Sequence, residues 1–172
     1  MHDNAPDLPQ DGLRKDPARL AELKRHLILD STPERAYDDI TRLLADTLDV
    51  PIAMVNLLDA ERDWFKSRVG MPVTESPAAG SFCEAFFNSP HDTVIVEDAA
   101  LDARFAGNPH VVGEPFIRFY AAARLSVGLH TLGTLCVYDV KPHRPTPEQL
   151  QMLRVLASAA MELLARRAPP SA

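Results

Sequence analysis

Two cysteines and a concentration of aromatic residues are where the chemistry of this chain would reside. Cys83 stands in Ser81-Phe82-Cys83-Glu84, a spacing that reads as a capping box with Ser81 as N-cap and Glu84 as its partner three residues on. Cys83 then falls in the first turn of a short helix. Unpaired amide hydrogens and the positive helix end favour a thiolate there, provided solvent reaches it. The plainer reading is a small buried hydrophobe that closes the helix onto the sheet. Cys136 lies in the apolar run Leu135 to Tyr138, where packing is its expected role. Phe82, Phe86 and Phe87, with Phe105, Phe116, Phe119 and Tyr120, gather rings in a chain that is only 6% aromatic. Apolar walls with a few polar anchors are how small-ligand pockets are built, and Asp98, Asp102, Arg104 and Arg118 are the candidate anchors. The competing reading makes the phenylalanines core, Asp98 the cap of a short helix beginning near Ala99, and Arg104 the partner of a nearby carboxylate. Six histidines are scattered without an HExxH pattern and there is no CxxC, so no metal site and no cofactor is expected.

The elements that must position these residues can be read from periodicity. Leu20, Leu23 and Leu27 form one stripe of a helix over Pro17 to Leu29. Thr32 as N-cap and Pro33 at the first helical position predict a second helix with Tyr37, Ile40, Leu43, Leu44, Thr47 and Leu48 on one face. Ile52 to Leu58 is almost continuously apolar, as a strand covered on both faces would be. After a polar turn, Trp64 to Val69 reads as its antiparallel partner, with Trp64, Lys66 and Arg68 on a solvated edge. Val94 to Val96 is a short strand. Ile117 to Val127 and Thr131 to Val140 form a hairpin turning near Gly128. Thr146, Pro147 and Gln149 open a final helix of about 20 residues whose stripe is Leu150, Leu153, Ala157, Ala160 and Leu164. Helices at the ends and strands between them define an α+β fold, a mainly antiparallel sheet with the terminal helices packed on one face.

Composition narrows the function. The 172 residues suit one domain, expected over 16–167 with flexible tails at 1–15 and 168–172. Eighteen basic against 24 acidic residues give a net charge of −6, the wrong sign for a nucleic-acid footprint. The apolar runs are too short to cross a membrane, and no signal pattern opens the chain, so a cytoplasmic protein with reduced thiols is expected.

Leu29-Asp30-Ser31-Thr32-Pro33-Glu34, Phe65-Lys66-Ser67, Ser81-Phe82-Cys83, Asp102-Ala103-Arg104-Phe105, Arg118-Phe119-Tyr120-Ala121 and Leu132-Gly133-Thr134-Leu135-Cys136-Val137-Tyr138-Asp139 stand in the order and spacing of bacterial GAF domains, and the chain resembles a stand-alone member of that family. The resemblance implies a six-stranded antiparallel sheet with a small-molecule pocket on the face away from the terminal helices. Its roof would be built from Met71 to Asn88 and Asp98 to Phe116. It also implies a non-enzymatic sensory or regulatory module that signals through the terminal helices to a protein in trans. The expected ligand-binding residues are Phe82, Cys83, Phe86, Asp98, Arg104, Phe105, Phe119, Tyr120 and Cys136. Two alternatives stand beside it. One is a thiol-dependent reductase of the free methionine sulfoxide type centred on Cys83, although the characteristic cysteine set of those enzymes is missing. The other is a structural dimerisation domain. A homodimer through the terminal helices is expected, unless the stripe of the last helix is consumed by the domain's own sheet. The chain departs from its subgroup at Ala122 and Arg124, which replace a usual glycine and proline and would shrink or recharge the cavity. Pro77-Ala78-Ala79-Gly80 lacks the usual basic residue. The signatures of cyclic-nucleotide and bilin binding are not found.

Overall fold

The structure, a computed structural model, describes residues 13–169. The tails expected at 1–15 and 168–172 fall largely outside that range. Within them, Arg14 is buried and held by hydrogen bonds, so the ordered domain reaches further toward the N-terminus than composition suggested.

Six strands form one antiparallel sheet in the order β3-β2-β1-β6-β5-β4. They are β1 (Ile52–Leu58), β2 (Arg62–Val69), β3 (Glu75–Pro77), β4 (Thr93–Val96), β5 (Phe119–Val127) and β6 (His130–Asp139). The helices are α1 (Pro17–Arg25), α2 (Arg35–Leu48), α3 (Pro109–Val112) and α4 (Pro147–Arg167), with 3-10 turns at Phe82–Asn88 and Ala99–Leu101. The α+β architecture is therefore as expected. The short β3 has no sequence signal and extends the sheet beyond β2.

Strand alternation divides the interior into two cores. Val55, Leu57, Phe119, Ala121, Leu135 and Val137 face α1, α2 and α4. Met54, Tyr120, Ala122, Cys136 and Tyr138 face the roof and meet Phe82, Phe86 and Phe105. A close approach of β6 to β1 requires a residue without a side chain: a Cβ on Gly133 of β6 would collide with the backbone oxygen of Asn56 in β1.

α4 begins as its residues dictate. Thr146 Oγ1 accepts from the Gln149 amide, and the Gln149 side chain accepts from the Thr146 amide. Its buried stripe is Leu153, Leu156, Ala157, Ala160 and Leu164, taken up by the domain's own core.

Three local expectations are corrected. α1 stops at Arg25 rather than Leu29; Leu27 takes a left-handed φ of 51° and is 72% exposed, and Ile28 enters the core instead. The His26 ring, hydrogen bonded at Nδ1 to the Leu164 carbonyl oxygen at 2.7 Å, fixes that break, and Arg167 donates to the His26 and Leu27 carbonyls. α2 starts at Arg35 with Glu34 as N-cap, because the Thr32 carbonyl is drawn to Lys66 Nζ at 2.5 Å. Lys66 is not on a solvated edge but buried, paired to Glu34 at 2.6 Å and donating to Ser31 Oγ. Ser67, its neighbour, donates to Asp38. The Leu29-to-Glu34 and Phe65-to-Ser67 motifs are thus two halves of one polar lock.

Candidate functional site

On the roof side of the sheet lies a cavity of about 210 Å³. β1 and β2 supply its floor through Ile52, Met54, Asn56, Asp63 and Phe65, with Tyr138 of β6 alongside. The loop after β2 (Met71, Val73), the Gly80-to-Phe82 turn and the segment bearing His110, Pro115 and Ile117 close it from above. The wall is mostly apolar. Its polar groups are concentrated where β1 and β2 meet, beside the register shift between Val55 and Asn56.

Asp63 is the hub of that polar floor. It is 4% exposed, and its Oδ2 accepts from Asn56 Nδ2 (3.1 Å) and Ser81 Oγ (2.5 Å). Its Oδ1 accepts from Arg14 Nη2 at 2.8 Å. Arg14, 2% exposed, also donates to the Asp59 carbonyl and pairs with Glu84 on the roof helix. Burial opposes the charge on Arg14, but Asp63 and Glu84 outweigh it and hold the guanidinium above its ordinary pKa. Asn56 is 1% exposed, and its Oδ1 has no hydrogen-bond partner among the described residues. A buried amide oxygen left open costs roughly 1–3 kcal/mol.

The structure also places each of the expected ligand-binding residues. Phe82 lines the cavity, stacked on Phe105 at 4.8 Å and tilted against Tyr120 at 5.1 Å. Phe105, Phe86 and Tyr120 are buried behind it in the roof core. Phe119 is on the other face, packed with the terminal helices and against the His143 ring, because it alternates with Tyr120 along β5. Asp98 caps the Ala99–Leu101 turn and grips Arg118 through both carboxylate oxygens (2.6 and 2.7 Å), while Asp102 does the same for Arg104. These hydrogen bonds hold both carboxyls below the usual carboxylate range, and neither pair lines the cavity.

Cys83 is fully buried, and the expected capping box around it is not formed. Ser81 Oγ accepts from the Cys83 amide rather than from that of Glu84, and the Glu84 carboxylate is turned to Arg14. The Cys83 sulfur meets Thr134 Oγ1 (3.1 Å), Tyr120 OH (3.3 Å) and Asn56 Nδ2 (3.5 Å), with the Cys136 thiol beside it. Burial opposes a Cys83 thiolate, yet the hydrogen bonds from Cys136, Thr134 and Tyr120 prevail and set that thiol below its ordinary value. Burial and the neighbouring Cys83 push Cys136 well up. Both cysteines are free thiols, and neither lines the cavity.

Arg124 does not recharge the cavity. Its guanidinium donates to the carbonyls of Phe86, Ser89 and His91 and to Thr131 Oγ1, which pins the end of the roof helix to β5 and β6. Ala122 is wholly buried in the roof core. Sequence reasoning missed Asn56 and Asp63. The available signal was an amide inside the otherwise apolar run Ile52 to Leu58.

A layered α+β fold with a roofed cavity on one face of the sheet and terminal helices on the other defines a class of domains, and comparison with known proteins specifies it. The GAF domain is matched over residues 32–164, and the chain belongs to that family. It is 35% identical over 159 residues to a cyclic di-GMP phosphodiesterase of Pseudomonas aeruginosa, a match covering 91% of this chain and 26% of that protein. The chain thus spans about a quarter of the length of this curated relative. The GAF domain of an Acinetobacter phosphoenolpyruvate-protein phosphotransferase superposes with a TM-score of 0.64 at 19% identity, over 87% of this chain and 94% of that one. A type II free methionine-R-sulfoxide reductase from Thermoplasma acidophilum superposes with a TM-score of 0.60 at 13% identity, over 78% and 95%. At those identities the two structures establish the fold alone. Among the described residues, no helix is long and apolar enough to cross a membrane, and no cluster of side chains could hold a metal ion.

Proposed function

We propose that this GAF domain is a sensory module that takes a small molecule into the cavity over β1 and β2 and passes the change through its terminal helices to a protein in trans. The observation that carries this reading is the apolar cavity itself, with Asn56 and Asp63 in its floor and Asp63 bonded to both Asn56 Nδ2 and Arg14. Arg14 precedes α1, and Arg19 of α1 donates to the Arg14 carbonyl and to that of Thr131. α1 is in turn tied to α4 through His26 and Leu164. A ligand that packs on the cavity floor redistributes the hydrogen bonds of Asp63 and so biases the position of Arg14, a population shift at the helix ends. The Pseudomonas relative supports the regulatory half of this reading: the similar region is a minor part of a protein named for phosphodiesterase activity.

Pairing of two copies through the terminal helices belongs to the same proposal. The α4 stripe is already used by the sheet, so such a pair would draw on Leu43 and Val155, which remain exposed. A reductase centred on Cys83 gains no support from a sulfur that is buried and set apart from the cavity wall.

Native mass spectrometry of gently purified protein tests the reading. A retained mass released on denaturation is expected, and Val73→Trp, which fills the mouth from an exposed loop, should abolish it. Empty protein that also shows no thermal shift with any member of a fragment library overturns it. The same spectra report the subunit count.

A further inference from the structure

We infer that the cavity over β1 and β2 takes a compact, uncharged, apolar molecule of roughly two fused rings, held by contact and not by hydrogen bonds. The inference rests on the ligand-binding reading above and names the ligand class of that same site. Size gives the first constraint. An apolar cavity of about 150 Å³ is enough for benzene, so about 210 Å³ takes roughly one further ring.

The wall gives the second. Ile52 and Phe65 lie in the floor, Ile117 closes the cavity from above, and Met71, Val73 and Pro115 stand toward the mouth. Val73 is 47% exposed and Pro115 is exposed as well, so apolar surface lies in water at the entrance until something covers it. Taking that surface out of water against an apolar guest is favourable in proportion to the area buried.

The third constraint comes from the polar side chains of the lining, which are turned to one another and leave most of the surface open to a guest apolar. Asp63 accepts from Arg14 on one oxygen and from Asn56 and Ser81 on the other. The Ser81 hydroxyl hydrogen is thereby spent, and Asn56 Nδ2 is spent on Asp63 and the Cys83 sulfur. Asn56 Oδ1 is buried inside the protein, without surface for a ligand to reach. The Tyr138 hydroxyl is directed to Cys136, which leaves its ring as wall. Ser76, in the edge strand β3, and exposed His110 stand where water reaches them. A polar group carried inward sheds its water and meets no unspent side-chain donor.

Isothermal titration of the full chain at two temperatures tests this with indane and with indanone, the same frame bearing a carbonyl. Indane is expected to bind with a negative heat-capacity change, and indanone about tenfold more weakly. With the methionine methyls isotope-labelled, indane should shift the resonances of Met54 and Met71, which line the cavity, and leave Met152 and Met161 of α4 in place. Val73→Asp, on an exposed loop, should weaken indane at least about threefold with Tm unchanged. Indanone binding as tightly as indane, indane shifting only the α4 methyls, or indane indifferent to Val73→Asp overturns the inference and leaves the ligand-binding reading intact. Failure of both probes to bind also overturns it. The ligand-binding reading falls as well only if native mass spectrometry finds the protein empty.

Discussion

Replacing Arg14 by methionine keeps an unbranched apolar stem in place and removes the charge that faces Asp63. The pair is buried on both sides, with side-chain exposures of 3% and 5%. Leaving one member of such a pair alone costs about 3–5 kcal/mol. Asp63 keeps two neutral donors, Asn56 Nδ2 and Ser81 Oγ, so the lower end, about 3 kcal/mol, is expected. For a domain of this size that is a fall in Tm of about 6–12 °C. The protein has one tryptophan, Trp64, buried on the helix side of β2, so urea unfolding followed by its fluorescence reports on unfolding of the domain. Asp63→Asn in the Arg14→Met background removes the orphaned charge, and the double variant should be less destabilised than the sum of the singles by about 1–3 kcal/mol. A loss below about 1 kcal/mol for Arg14→Met, with the two changes additive, refutes the link between the cavity floor and the segment that precedes α1.

Glu34 is held below the usual carboxylate range, first by the hydrogen bond from Lys66 and also by Arg167. Its contribution is complete above the unfolded value of 4.5 and is lost as pH falls through the lowered one, so Glu34→Gln should flatten the acid limb of a Tm–pH curve. Because Glu34 is 43% exposed, the effect at neutral pH stays below about 1 kcal/mol. Gly133→Ala forces a Cβ against the Asn56 backbone and should cost at least about 3 kcal/mol, read as a lowered urea midpoint or lost soluble yield. Cys83 and Cys136 should both resist a bulky thiol reagent in the native state and both react in denaturant; fast native labelling of Cys83 would revive its reading as a nucleophile.

Elements whose instructions are local could be read from the sequence. The Thr146-Pro147-Gln149 start of α4 and the apolar alternation of β5 and β6 needed no knowledge of distant residues. Where a distant partner decides, local rules misled. Thr32 has every property of an N-cap, but buried Lys66 claims its carbonyl. Ser81 and Glu84 have the spacing of a capping box, but Asp63 and Arg14 engage them first. Phe119 and Tyr120 are adjacent aromatics in the sequence, but the pleat sends them to opposite faces. The cavity floor was hidden for the same reason. Asn56 and Asp63 acquire meaning only when β1 and β2 pair and Arg14 arrives from outside the sheet.

The partition of each strand between two cores has a consequence for how such a domain can change over generations. Even-numbered positions of β1 meet the cavity side and odd-numbered ones meet the helices, so a substitution at Met54 reshapes the cavity wall, and one at Val55 reshapes the packing beneath the terminal helices. The two faces can thereby diverge separately, one codon at a time, the hollow changing shape while the opposite layer stays as inherited.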